Sequence, residues 1–228
     1  MNGLSAVASA DPVALGTHVG CVRAVLEHFD AAALENEQKL AVASGRMEQL
    51  EMSANVMFDT IVHAGLSAPD SLMVEQAQEA AREVAALAEA ALADGSLTPD
   101  RLFDTDYREI PGSDPRRYAT TLMPWADAHW RPVLDRISRS DGRIMAAACT
   151  DLNGHLPTHL SEFSRAPTGD KAHDTQFCRN GRMILDPIDR KAKASTAPYM
   201  MAVYRHEGDG RRYKVVRNVY VPLIVDGR

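Results

Sequence analysis

His155 and His159 stand four residues apart in DLNGHLPTHLSEFS, residues 151–164. On a helix that spacing puts two imidazoles on one face, where they can share a zinc ion. Pro157 lies between them and an Asn153-Gly154 turn precedes them, so the segment does not read as helical. The glutamate of an HExxH motif is missing, because Leu156 follows His155. Two polar residues on the rim of a sheet are the simpler reading, with a metal pair at His155 and His159 as its alternative. Cys178, in QFCRNGR, lies beside Arg179 and close to Arg182. Neighbouring cations lower a thiol pKa and favour the nucleophilic thiolate. A catalytic cysteine also needs a base and an oxyanion hole. His155, His159, His173 and His206 are candidate bases, but no known signature surrounds the cysteine. A small buried thiol is the commoner outcome for such a residue. A small enzyme or metal-binding protein using Cys178, His155 and His159 is therefore the alternative class of function.

Phosphate-cradling loops of the GxxxxGK[ST] and GxGxxG types are absent. The carboxylate pairs Asp104/Asp106 and Asp186/Asp189 lie in loop-like contexts, and Asp186-Pro187 reads as a turn. What remains is a concave sheet carrying Arg179, Arg182, Tyr204 and Arg205. Guanidinium groups in a pocket favour carboxylate or phosphate ligands, which they hold bidentately. With Cys178 and Asp151 added, these residues make the expected ligand-binding set. A structural use of the arginines, tying the sheet to Asp186 or Asp189, is the rival reading.

Elements must position these groups. Leu40, Met47, Ala54 and Ile61 are spaced by seven, and Ala43, Leu50, Met57 and Ala64 form the companion seam. That a/d pattern predicts a coiled-coil or bundle helix. Gly65 stands where a C-cap belongs. Ser67, Pro69 and Asp70 predict a second helix start, with the Ser67 hydroxyl taking a free backbone N–H. That helix runs to about Ala93, before Asp94-Gly95-Ser96, and a short turn predicts an antiparallel helical hairpin. Thr98-Pro99-Asp100 predicts a short third helix, and Tyr118 to Ser138 a further amphipathic one. After Ser140 the pattern changes to strands. RIMAAACT and HLPTHLSEFS flank the Asn-Gly turn, Lys191 to Ala197 is helical, and YMMAVYRH and YKVVRNVYVPLIVDGR flank EGDG. The pattern ends on Asp226-Gly227, itself a turn signal, so a last partner strand is expected to be missing. Helices followed by strands predict an α+β fold.

Composition narrows the function. An apolar share of 45% suits a sizeable core. A formal charge of −6 argues against a nucleic-acid partner, although basic residues cluster between Arg179 and Arg217. No stretch approaches the roughly 18 apolar residues of a membrane span. The opening MNGLSAVASADPVALG lacks a basic n-region, so a cytoplasmic location is expected. Three widely spaced cysteines without a CxxC predict reduced thiols.

Four phrases occur in order: LFDTDYREIPGSDP, CTDLNGHLPTH, FCRNGRMILD and VYVPLIVDGR. The stretch before them, EQAQEAAREVAALAEAALADGSL, looks like a helix leading in. With these phrases the chain from Asp94 onward resembles a C-terminal region of bacterial methyl-accepting chemotaxis proteins. It departs from that family's phrase at Gly181, where a second arginine is usual, and it lacks the long signalling hairpin. The strand–Asn-Gly–strand unit is also similar to Cache and PAS-like sensor domains, in which a long helix leads into an antiparallel sheet that cups a small ligand. The resemblance implies a non-enzymatic sensory module, with a leader at residues 1–30, a coiled-coil-like helical hairpin at 31–97 and a PAS/Cache-like α+β domain at 98–228. Its partners would be a small-molecule ligand, a second copy met through the helices, and a signalling domain or a kinase or adaptor. No cofactor is specified by it.

Overall fold

The computed structural model describes residues 12–207 and 213–228, with side chains described for residues 20–204 and 215–228. The chain divides into two compact units, Met1–Ala54 and Asn55–Arg228. The first helix, α1, runs Pro12–His63 and crosses that boundary. Residues 12–30 are thus helical where a loose leader is expected. The heptad seam explains this, because Leu26, Ala33 and Leu40 are also spaced by seven, with Val22, Phe29 and Asn36 as companions. In the first unit this seam is open to solvent: Leu26, Phe29, Leu40, Met47 and Leu50 are 57%, 68%, 70%, 60% and 66% exposed.

The second unit holds the core. Gly65 takes a left-handed conformation after α1, and α2 then runs Ala68–Asp94 to a left-handed Gly95. Ser67 precedes α2, but its hydroxyl donates to the Asp70 carboxylate instead of capping a backbone N–H. Thr98 caps a one-turn α3 at Pro99–Leu102. α4 runs Met123–Ser140. Val84, Ala88 and Ala91 of α2 pack with Trp125, Trp130 and Val133 of α4, joined by Leu97, Leu102 and Val225. The Trp130 indole donates to the Val84 carbonyl at 3.0 Å, which satisfies its buried N–H. Most of α2 is therefore core of the α+β body, and the expected stalk boundary at residue 97 does not separate it. Trp125 and Trp130 are buried in the cluster with Val84, Ala88 and Ala91, and tryptophan side chains carry more apolar surface than the Ala/Met seam residues.

The strands form three separate antiparallel pairs among the described residues, in place of one continuous sheet. β1 (Arg108–Glu109) pairs with β2 (Tyr118–Ala119), and β3 (Ala148–Cys149) with β4 (Thr158–His159). Each is two residues long. Pro111 follows β1 closely and Pro157 precedes β4, and a proline removes the N–H that would extend a ladder. β5 (Met200–Glu207) and β6 (Tyr213–Tyr220) form the one long ladder, with Met201 opposite Val219 and Tyr204 opposite Val216. Gly208 to Gly210 of the EGDG turn lie outside the described residues. Two short helices complete the body. α5 spans Lys171–Phe177, with Asp170 accepting from the His173 N–H. α6 spans Pro187–Lys193, opened by a capping box of Asp186 and Asp189, four residues ahead of the expected helix.

Candidate anion-binding site

The Asn153-Gly154 turn is held from three directions. Asp151 Oδ1 accepts the N–H groups of Asn153 (2.9 Å) and His155 (2.8 Å). Its Oδ2 accepts the Tyr107 hydroxyl, and Asn153 Nδ2 donates to that same phenol oxygen at 2.8 Å. Lys193, at the end of α6, donates to Thr150 Oγ1 and to the Asp151 carbonyl. Burial holds the Lys193 ammonium below its usual range, with Asp151 and Asp189 opposing that shift. Burial pushes the Tyr107 phenol up, and its bond to Asp151 adds to this. Asp151, expected among the ligand-binding residues, thus has both carboxylate oxygens engaged, one by the turn's own N–H groups and one by Tyr107.

A second turn carries Cys178, Arg179 and Arg182. The Arg182 N–H donates to the Arg179 carbonyl at 3.1 Å. Gly181 lies inside this turn at φ 80°, and a Cβ there would come 2.8 Å from the Tyr118 carbonyl oxygen. Arg179 Nε donates to the Gln176 carbonyl (3.1 Å) and Arg182 Nη1 to the Thr175 carbonyl (3.0 Å), both at the C-terminal end of α5. The Arg179 guanidinium also lies over the Phe163 ring, 4.6 Å from its centroid. Burial draws both guanidinium pKa values down, and the charge of Arg179 adds to the shift at Arg182. Among the described residues neither has a carboxylate within ion-pair reach. Each therefore keeps N–H donors beyond its one helix carbonyl.

Opposite this pair stands Tyr204 of β5, half-buried, its phenol pushed up by burial first and then by Asp189 and Asp186. Tyr220 of β6 donates to Asp189 Oδ1 at 2.8 Å, and burial pushes its phenol up as well. Asp189 is thereby occupied, and Asp186 accepts from the Asp189 N–H. The expected structural tie between the arginines and these aspartates does not occur among the described residues. Arg205 lies in β5 opposite Val215, with its side chain outside the described residues. Two adjacent cations, half out of water and without a counter-ion among the described residues, can hold a carboxylate or phosphate through charge-assisted bonds.

Cys178 is buried, and its nearest polar partner is Asp174 Oδ1 at 3.7 Å. Burial, then the Asp174 charge, pushes the thiol up, so it is protonated at neutral pH. Its two neighbouring arginines point instead to the α5 carbonyls, which removes the thiolate activation the sequence suggested. His173, Asp174 and Cys178 bring ligand-type atoms within 4.8 Å of one another. Asp174 is already the acceptor for the N–H groups of Thr168 (2.8 Å) and Gly169 (3.0 Å) and for His173 Nδ1 (3.0 Å). These bonds hold its carboxyl well below the usual range.

His155 is 2% exposed and donates Nε2–H to the Tyr118 carbonyl at 3.0 Å. His159 is also buried, and its Nδ1 accepts the Leu160 N–H at 2.8 Å. Burial, aided by Arg179 and Arg131, lowers the His159 pKa to about 4. The folded chain keeps this imidazole neutral while the unfolded chain protonates it below its ordinary value of 6.5. Its effect on stability is therefore absent above that value and grows as pH falls towards 4. The loss amounts to ~3 kcal/mol over that window. His159→Asn, which keeps an acceptor for Leu160, is expected to remove most of this slope. Urea unfolding at neutral pH and at about pH 4.5 measures it; an unchanged slope in the variant would place the titration elsewhere.

Comparison of the chain with protein-family models, with curated proteins and with solved structures found no match. Three of the expected ligand-binding residues, Arg179, Arg182 and Tyr204, come together. Lys193 and Tyr220 join the same region without having been expected there, and Asp189 is present as acceptor for Tyr220 where a tie to the arginines was expected. The Asp186-Pro187-Ile188-Asp189 spacing, which is a capping-box pattern, was the available signal for α6 and for the side chains it presents.

Proposed function

We propose that the chain is the sensory module of a chemotaxis-type receptor and that it binds a small organic or inorganic anion at Arg179, Arg182 and Tyr204. The observation that carries this reading is the pair of half-buried guanidiniums without a carboxylate partner among the described residues. Desolvated like charges side by side are unfavourable on their own and become favourable with an anion between them. The phrases that carry the family resemblance support it too. Tyr107, Asp151, Arg179 and Tyr220 come from four different phrases and belong to one connected region around α6. In this reading the body is a PAS/Cache-like sensor whose long ladder is β5–β6, and the protein is not an enzyme.

No helix among the described residues is long and apolar enough to cross a membrane. We place the module on the cytoplasmic side, where a signalling domain or a kinase or adaptor reads it. The exposed seam of α1 is taken to pair with a second copy. Sedimentation of the full chain is then expected to show a dimer, and Met47→Glu with Leu50→Glu a monomer; a wild-type monomer would remove the helical pairing. The binding claim is tested by calorimetric titration with inorganic phosphate and, separately, with succinate. Saturable binding of at least one, weakening with added salt, is expected. Failure of both anions to bind would overturn the reading.

A further inference from the structure

The β5–β6 ladder divides two environments. Successive side chains of a strand point to opposite faces. On one face Met201, 1% exposed, packs with Val62 and Val74, and Phe58, Tyr199 and Val219 close around it. Arg217 on that face pairs with the buried Asp70 at 2.8 Å. On the other face Tyr204 and Tyr220 look towards α6 and the arginine turn.

The outer edge of β5 is capped by α1. The Met201 N–H donates to Asp59 Oδ1 at 2.7 Å, and the Val203 N–H donates to Asn55 Oδ1 at 2.6 Å. Asn55 and Asp59 are one helical turn apart, a rise of about 6 Å. Met201 and Val203 are two strand residues apart, a rise of about 7 Å. The two spacings match, so one helix face supplies an acceptor to both of these outward N–H groups, which the edge would otherwise leave unpaired. Asn55 is 8% exposed, so its amide is committed to this contact. His63, one further turn along, stacks on Tyr199 at 4.1 Å, which fixes the start of the strand.

We propose that Asn55 and Asp59 form a clasp that couples the position of β5 to the last turns of α1, so that occupation of the Arg179–Arg182–Tyr204 site is read at that helix. This rests on the anion-sensor reading for its ligand. Val203 and Tyr204 are adjacent, so a strand shift that carries the Tyr204 hydroxyl towards an anion also moves the Val203 and Met201 amides. Hydrogen bonds weaken steeply as they lengthen or bend, which turns a small shift into a change in helix order.

Amide hydrogen exchange of the full chain tests this without a ligand. Asn55→Ala with Asp59→Ala is expected to speed exchange at Met201 and Val203 about tenfold. Asp59→Asn, which keeps the acceptor oxygen, is expected to stay near wild type. Arg179→Gln with Arg182→Gln, which removes the like-charge pair, is expected to change exchange about threefold at Met201, Val203 and residues 55–63. Tyr204→Phe gives the same comparison should the double arginine variant fail to fold, with α4 amides as the internal reference. The clasp is overturned if the alanine pair leaves both strand amides at wild-type rates. The coupling is overturned if the site variants alter only residues 175–190. Absence of phosphate binding, by contrast, would strike the anion-sensor reading and leave these exchange results standing.

Discussion

Gly154→Ala is expected to destabilise the second unit by about 3 kcal/mol or more. Gly154 sits at φ 89°, a left-handed conformation that costs a residue with a Cβ about 1–2 kcal/mol. The added methyl would also meet the Ile184 carbonyl inside van der Waals contact and come 2.9 Å from Leu185 Cβ. The backbone cannot easily retreat, because the Ile184 N–H donates to the Gly154 carbonyl at 2.8 Å. Through that bond the turn holds the segment leading into α6. Thermal unfolding is the measurement. A Tm within a few degrees of wild type would mean that the turn is not packed against residues 184–185.

The second large effect concerns the site. Arg179→Gln with Arg182→Gln is expected to weaken phosphate or succinate binding about a hundredfold, ~3 kcal/mol, from the loss of two charge-assisted contacts. Glutamine keeps an N–H donor but loses the guanidinium that lies over Phe163, so a thermal melt of the variant separates lost binding from lost packing. Tyr204→Phe removes one neutral hydroxyl and is expected to cost nearer tenfold. Calorimetry with either anion decides between them. Equal losses for both variants would point to general unfolding of the site, and no loss in the arginine pair would place the anion elsewhere.

Local chemistry made parts of this structure legible from sequence. The left-handed Gly65 and Gly95 and the Thr98 cap follow from backbone preferences that act within a few residues, whereas at Asn153-Gly154 only the glycine is left-handed and residues 150–157, not a two-residue hairpin, join β3 to β4. The seam of α1 was legible too, although its extension back through Phe29 and Leu26 was masked by the Ala/Gly/Ser content before it. Long-range choices were not legible. Nothing local says that α2 packs on Trp125 and Trp130, or that Tyr107 reaches Asp151 across 44 positions. The bonds from Met201 and Val203 to Asp59 and Asn55 span 142 and 148 positions. Strand propensity likewise overstated the sheet, since propensity registers single residues and a ladder needs several unbroken N–H donors in register. Arg179 and Arg182 stand out in the sequence as cations close together, but their lack of a carboxylate partner among the described residues depends on the fold. The carboxylates of α6 were read as turn residues because their capping role hides behind Pro187.

The most direct test of the anion-sensing claim is the response of the arginine side-chain Nε–H resonances of the full chain to inorganic phosphate at constant ionic strength. The expected result is that Arg179 and Arg182 shift together along one saturating curve while exposed arginines such as Arg23 and Arg139 stay in place. Shifts spread evenly over all arginines, or none at Arg179 and Arg182, would contradict an anion site between them.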